Sequence, residues 1–175
     1  SKADPSNMAA LPSQAGPNGT RPAADLERGW LAVTAVNSNQ PDTLASYANA
    51  CGVAANYCLA APGEAVFVDP ASTTGSTPTY LWGGGTSYAA PLVSGTAALV
   101  WQKYPYFSND QVRQTLPGTA TDLGAAGVDS VFGYGLLNVG KAVNGPGRFD
   151  WGTMVVDLPG SSNFSTWSNN ISGAG

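Results

Sequence analysis

Sixteen consecutive residues, Thr86 to Trp101, carry no charge, and Gly83, Gly84 and Gly85 stand directly before them. A run of that length with so little polarity has to lie against other elements of a fold, and it reads as a buried helix. Lys103 near its end favours the helix dipole, and Pro105 supplies the stop. At its head, the glycines let backbone approach a ligand where a Cβ would obstruct it. Ser87 then opens the helix, whose first turn leaves backbone N–H groups unpaired. Those donors and the positive end of the dipole suit an oxygen that becomes negative during acyl transfer. The plain alternative is an ordinary buried helix with an incidental serine at its cap.

Other segments bear on the choice. Trp30-Leu-Ala-Val-Thr-Ala-Val36 alternates, is rich in β-formers and predicts a strand. Ala10-Leu11-Pro12 lies upstream of it, and Ser46-Tyr47 and Ala60-Ala61-Pro62-Gly63 lie downstream. Beyond Pro105, Ser108-Asn-Asp-Gln111 is a capping box with Asp110 in the first turn, predicting a helix that ends near Leu116, before Pro117. Phe132-Gly-Tyr-Gly-Leu-Leu-Asn-Val139 lies farther downstream.

Taken in order, these segments resemble the landmarks of the subtilisin-like serine peptidases, the subtilases. Gly85-Thr86-Ser87-Tyr88-Ala89-Ala90-Pro91 resembles that family's nucleophile motif Gly-Thr-Ser-x-Ala-x-Pro. The strand resembles Val-Ile-Ala-Val-Gly-Ala-Val, Ala61-Pro62-Gly63 its Ala-Pro-Gly, and Gly133 to Asn138 its closing Gly-x-Gly-Leu-x-Asn/Asp. The resemblance runs from about Ala9 to Val143. It implies an α/β fold, doubly wound, with a mostly parallel sheet and helices on both faces. Residues 1–143 would form the C-terminal half of a peptidase domain.

The chain has no histidine. A serine hydroxyl is a poor nucleophile unless a nearby base takes its proton, and in subtilases that base is a histidine oriented by an aspartate. Both precede the serine in the family's chain order, as does its oxyanion asparagine in an Ala-Ala-Gly-Asn motif. Asn7 lacks that flanking pattern. Ser1 is therefore expected to follow a cut, at an expression boundary or by proteolysis, and the missing half is an expected partner. Half of a doubly wound sheet would leave strand edges and a sheet face uncovered, so partial disorder or rearrangement is expected of the piece alone.

Hydrophobic residues make up 43% of the chain, enough for a sizeable core, and charged residues only 10%, against about 25% in an average soluble protein. The net charge of −4 comes with no basic run, which disfavours nucleic acid as a partner. No uninterrupted apolar stretch of about 18 residues predicts a transmembrane helix.

Cys51 and Cys58 are the only cysteines, with six residues between them in a loop containing Gly, Ala and Asn. Two thiols without histidine cannot complete a zinc site, which needs about four ligands. Free buried thiols and a local disulfide both stay open on spacing alone. The resemblance to an exported peptidase favours the disulfide, in a structural role. No acidic cluster argues for calcium, and no cofactor is expected.

After Asn144-Gly-Pro-Gly147, a linker, the composition changes. Thr153-Met-Val-Val-Asp-Leu158 predicts a strand. Phe164 to Gly175 resembles the start of the β-solenoid stalk in bacterial autotransporters, with a flexible Gly/Ser linker as the alternative. Residues 144–175 would then be linker and first turn of the stalk. The Cys pair and Gly135-Leu-Leu-Asn-Val-Gly-Lys-Ala-Val143 also resemble the autotransporter branch of the subtilases.

The resemblance implies a secreted or surface-displayed bacterial serine endopeptidase acting on proteins or peptides, anchored in full length by an outer-membrane β-barrel. Ser87 would be the nucleophile and its N–H an oxyanion donor, supported by Thr86, with Gly83, Gly84 and Gly85 along the substrate cleft. Loss of one oxyanion donor costs about 10²–10³ in rate, a figure that comes from subtilisin itself. The piece alone is expected to be inactive, Lys103 being the basic residue to consider should it not be. Two other readings remain. Sedolisin-type peptidases use Glu and Asp in place of His, although they usually read Gly-Thr-Ser-Ala-Ser. A surface adhesin or pseudo-peptidase would keep the fold without the chemistry.

Overall fold

A computed structural model of the chain describes residues 3–14, 24–68, 78–145, 148–151 and 154–157. At its centre, β1 (Ala32–Asn37) runs parallel to β3 (Cys58–Pro62), in register from Ala32 opposite Cys58 to Val36 opposite Pro62. β2 (Gln40–Leu44) pairs antiparallel with the end of β1 and closes one edge, giving the order β2-β1-β3. The free side of β3 is occupied by the loop 134–137. Tyr134 N–H donates to Cys58 C=O at 2.9 Å, Ala60 N–H to Gly135 C=O at 2.8 Å, and Leu137 N–H to Ala60 C=O at 2.8 Å. The Ala60–Leu136 bridge is parallel, so the closing Gly-Tyr-Gly-Leu segment behaves as a further sheet position.

Both central strands are buried on both faces, as parallel strands covered on each side require. On one face, Ala35, Leu59 and Ala61 meet Ala89, Val93 and Val100 of α2 (Thr86–Lys103), together with Tyr104, Phe107 and Ala142. Val112 and Leu116 of α3 (Asn109–Gly118) and α4 (Val139–Asn144) complete that layer. On the other face, Val36 and Ala60 pack on Phe132. Ala32 and Cys58 join Cys51, Ala54 and Tyr57 in a neighbouring cluster. β4 (Glu64–Val68) and β5 (Tyr80–Gly84) form an antiparallel pair that leads into α2. A short helix, α1 (Ala24–Arg28), precedes β1.

Four expectations are corrected in detail. The strand expected from Trp30 begins at Ala32, because Trp30 is engaged elsewhere: its indole N–H donates to Ala9 C=O, and its own carbonyl accepts from Arg113 Nε. The helix expected to be buried is buried along the stripe Ala89, Val93, Thr96 and Val100. Leu92, Leu99 and Trp101 are 46–47% exposed, since the described elements cover one side of α2. α3 passes Leu116 and Pro117 to end at Gly118. There Thr119 Oγ donates to the Thr115 and Leu116 carbonyls at 2.7 and 3.3 Å, satisfying acceptors that the helix end leaves open. Between the cysteines the chain forms a 3-10 helix, Gly52–Tyr57, and Cys58 is already the first residue of β3.

In the tail, β6 (Arg148–Trp151) and β7 (Met154–Asp157) pair antiparallel in the region where a strand was expected at 153–158. The Phe164–Gly175 segment lies outside the described residues.

Candidate active site

Gly63 follows β3 directly and sits at the end of β1, its N–H donating to Val36 C=O at 3.3 Å. Its own carbonyl accepts the Gly85 N–H at 2.8 Å. This bond ties the end of the central sheet to the N-cap of α2. Only glycine fits at 63: a Cβ there would stand 2.5 Å from Ala35 Cβ and 2.6 Å from Tyr47 Oη, well inside van der Waals contact.

Gly85 is the N-cap of α2 in extended conformation, and its carbonyl accepts the Tyr88 N–H at 3.0 Å to start the first turn. Thr86 and Ser87 are the first two helical residues, and both are exposed. A Cβ on Gly85 would stand 3.1 Å from Ser87 Oγ. The missing side chain therefore leaves open the space over that hydroxyl. Among the described residues Ser87 Oγ has no hydrogen-bond partner, which leaves both its proton and its lone pairs free for an incoming group. Gly83 and Gly84 end β5 opposite Ala65 and Glu64, next to the same junction.

The acidic and phenolic groups beside this junction were not read as site residues from the sequence. Tyr47 Oη donates to Gly63 C=O at 2.7 Å. Burial, reinforced by the Glu64 carboxylate, raises its pKa above the ordinary tyrosine value, with the Gly85 N–H pulling the other way. Glu64 accepts the Ser38 N–H at 2.7 Å, fixing its carboxylate at the rim. Ser46-Tyr47 was legible as a landmark, but its hydroxyl's target lies 16 positions away, beyond any local spacing rule.

Lys103 is excluded as a base for Ser87. It ends the helix whose first turn holds Ser87, roughly 24 Å away at 1.5 Å per residue, and its Nζ lies over the Tyr104 ring. Cys51 and Cys58 are bonded, with Cα atoms 5.9 Å apart, and are buried away from the junction. The bond joins the start of the 3-10 helix to the start of β3.

The family model described as the Subtilase family matches residues 2–135. The Neisserial autotransporter lipoprotein NalP of Neisseria meningitidis serogroup B is 49% identical over 128 residues, covering 73% of this chain and 11% of that protein. Serotype-specific antigen 1 of Mannheimia haemolytica is 39% identical over 151 residues, covering 85% of this chain and 15% of the antigen. The chain thus spans only a small part of these relatives. Among solved structures, fervidolysin from Fervidobacterium pennivorans, a keratinolytic enzyme related to subtilisin, superposes with a TM-score of 0.56 at 27% identity, over 69% of this chain and 20% of its own. The parallel β1–β3 core with α2 laid across it is a subtilisin-like arrangement, and with well over half of its length matched, this chain belongs to the subtilase family of serine peptidases.

Proposed function

We propose that this chain contributes the nucleophile to a secreted or surface-displayed serine endopeptidase. The observation that carries the reading is the exposed Ser87 Oγ at the head of α2, without a hydrogen-bond partner among the described residues and beneath a glycine held to the end of the central sheet. Ser87 Oγ attacks the scissile carbonyl carbon as its proton passes to the base, the C–N bond breaks as that proton reaches the leaving amine, and water later hydrolyses the acyl-enzyme to restore the Ser87 hydroxyl. The Ser87 N–H, in the first turn of α2, donates to the oxygen that gains charge, and Thr86 supports the turn. Gly83 to Gly85 pass beside the substrate backbone.

With no histidine among the 175 residues, the base comes, on this reading, from sequence upstream, and the family's chain order puts its aspartate and the second oxyanion donor there too. The apolar side chains that α2 leaves exposed, Leu92, Leu99 and Trp101, are the surface on which that upstream half packs. The names of NalP and of the Mannheimia antigen support display at the bacterial surface. Residues 144–175 then lead from the peptidase domain into a β-solenoid stalk, and the full-length protein is anchored by an outer-membrane β-barrel. The Cys51–Cys58 disulfide suits such an oxidising location.

An organophosphorus probe on the full-length protein tests the assignment. It should label Ser87, and Ser87→Ala should abolish labelling and peptide hydrolysis together. Retained hydrolysis in the alanine variant would overturn it. The purified 175-residue chain should hydrolyse peptides no faster than background, with activity returning when the upstream half docks.

A further inference from the structure

Tyr47 lies between β2 and the 3-10 helix Gly52–Tyr57, with its ring partly exposed and its hydroxyl committed to main chain. The Gly63 carbonyl accepts from Tyr47 Oη at 2.7 Å and from Gly85 N–H at 2.8 Å. Both lone pairs of that oxygen are thereby used. The same phenol crowds the place of a side chain on Gly84, with Cε1 3.2 Å and Oη 3.4 Å from the position of a Cβ. Gly63, Gly84 and Gly85 therefore gather around one tyrosine. Glycines lose more conformational freedom on folding than any other residue, so three of them beside a reacting group need an external clamp.

We infer that Tyr47 is a positioning residue of the peptidase reaction. Its hydroxyl fixes the Gly63 carbonyl, through it the N-cap Gly85, and so the attitude of the first turn from which Ser87 acts. The inference rests on the reading of Ser87 as the nucleophile. The raised pKa of the phenol accords with this role, since a phenol that keeps its proton keeps its donor.

Tyr47→Phe in the full-length protease tests it, because the ring stays and only the hydroxyl goes. Turnover is referred to active sites counted by burst titration, so molecules that fail to fold do not enter the rate. The expected result is a fall in kcat of about tenfold, with KM within about twofold of the parent, as a displaced reacting group produces. A purely structural role would lower the melting temperature and leave kcat per active site unchanged, and that outcome overturns the inference. A change confined to KM also overturns it, since it would mean that Tyr47 meets substrate directly. Ser87→Ala, measured in parallel, separates the two readings. If it is inactive while Tyr47→Phe matches the parent, only the role of Tyr47 fails; if it keeps activity, the nucleophile assignment itself is wrong.

Discussion

Gly133 lies so close to the Cys58 carbonyl that a Cβ on it would collide with that oxygen, and its φ of +62° is in the left-handed region. Steric room and backbone conformation thus make the same demand at one position. The contact seats the loop 134–137 against β3 through the bonds from Tyr134 to Cys58, from Ala60 to Gly135 and from Leu137 to Ala60. Gly133→Ala should destabilise the protein by about 2–4 kcal/mol, from left-handed strain plus displacement of the loop. Urea unfolding of the full-length variant measures this. A midpoint equal to the parent's would show that the loop yields without losing its place on the sheet.

The same part of the sheet is also braced by the Cys51–Cys58 disulfide. Cys51 N–H donates to Val131 C=O at 3.1 Å and Gly52 N–H to Ser130 C=O at 2.7 Å, so the bonded loop is also stitched to the segment before Gly133. The cysteines are seven positions apart, and closing so short a loop contributes about 2–3 kcal/mol in the chain-entropy account. The double variant Cys51→Ala, Cys58→Ala should lose that much stability by urea titration, with kcat per active site within about twofold of the parent. Unchanged stability would leave the bond with no structural role.

What could be read from the sequence was mostly local. The capping box at Ser108 depends on residues three positions apart, and both of its bonds form: Gln111 N–H to Ser108 Oγ at 3.3 Å and Ser108 N–H to Gln111 Oε1 at 2.8 Å. The glycine-to-helix junction at Ser87 was equally plain. β2 was not read, because Gln40-Pro41-Asp42-Thr43-Leu44 has no apolar alternation and Thr43 is its only β-former. It is an exposed edge strand whose pairing is dictated by β1, and proline is tolerated at an edge. The link from Tyr47 to Gly63 and on to Gly85 was invisible for a different reason. Three segments distant in sequence create it, and each carries only one of its partners.

Tyr104 gives the fold an alkaline limit. It is fully buried, stacked on Phe107 with ring centroids 4.7 Å apart, and its hydroxyl donates to Val143 C=O at 3.0 Å. Burial, with a smaller contribution from Tyr106, raises its pKa to about 12. Because the folded value lies above the unfolded one of about 10, the neutral phenol favours the folded state. Its contribution is complete below pH of about 10 and is lost as pH rises through about 12. Tyr104→Phe forfeits the bond to Val143 but has no proton to lose. Its melting temperature should start below the parent's at pH 9 and fall less steeply above pH 10. Tyr47 titrates in both proteins and cancels in the comparison. Parallel melting curves across that range would remove Tyr104 as the cause.

Gly63→Ala should separate stability from catalysis less cleanly than any of these, because one atom meets both. The added methyl would press on Ala35 Cβ at 2.5 Å, in the buried centre of β1, and on Tyr47 Oη at 2.6 Å. Ala35 is packed against Leu59, Ala61 and α2 and cannot retreat. The phenol is half exposed and can swing outward, giving up its bond to the Gly63 carbonyl. Overpacking of a filled core costs about 1–3 kcal/mol, and that loss should appear in urea unfolding. The freed tyrosine should lower kcat per active site by at least as much as Tyr47→Phe does, since Gly85 also loses the fixed carbonyl it donates to. The two defects share a cause, so the double variant Gly63→Ala, Tyr47→Phe should be no slower than Gly63→Ala alone, and somewhat more stable because loss of the hydroxyl makes room for the added methyl. Additive losses in kcat would mean that Gly63 and Tyr47 act on Ser87 by separate routes.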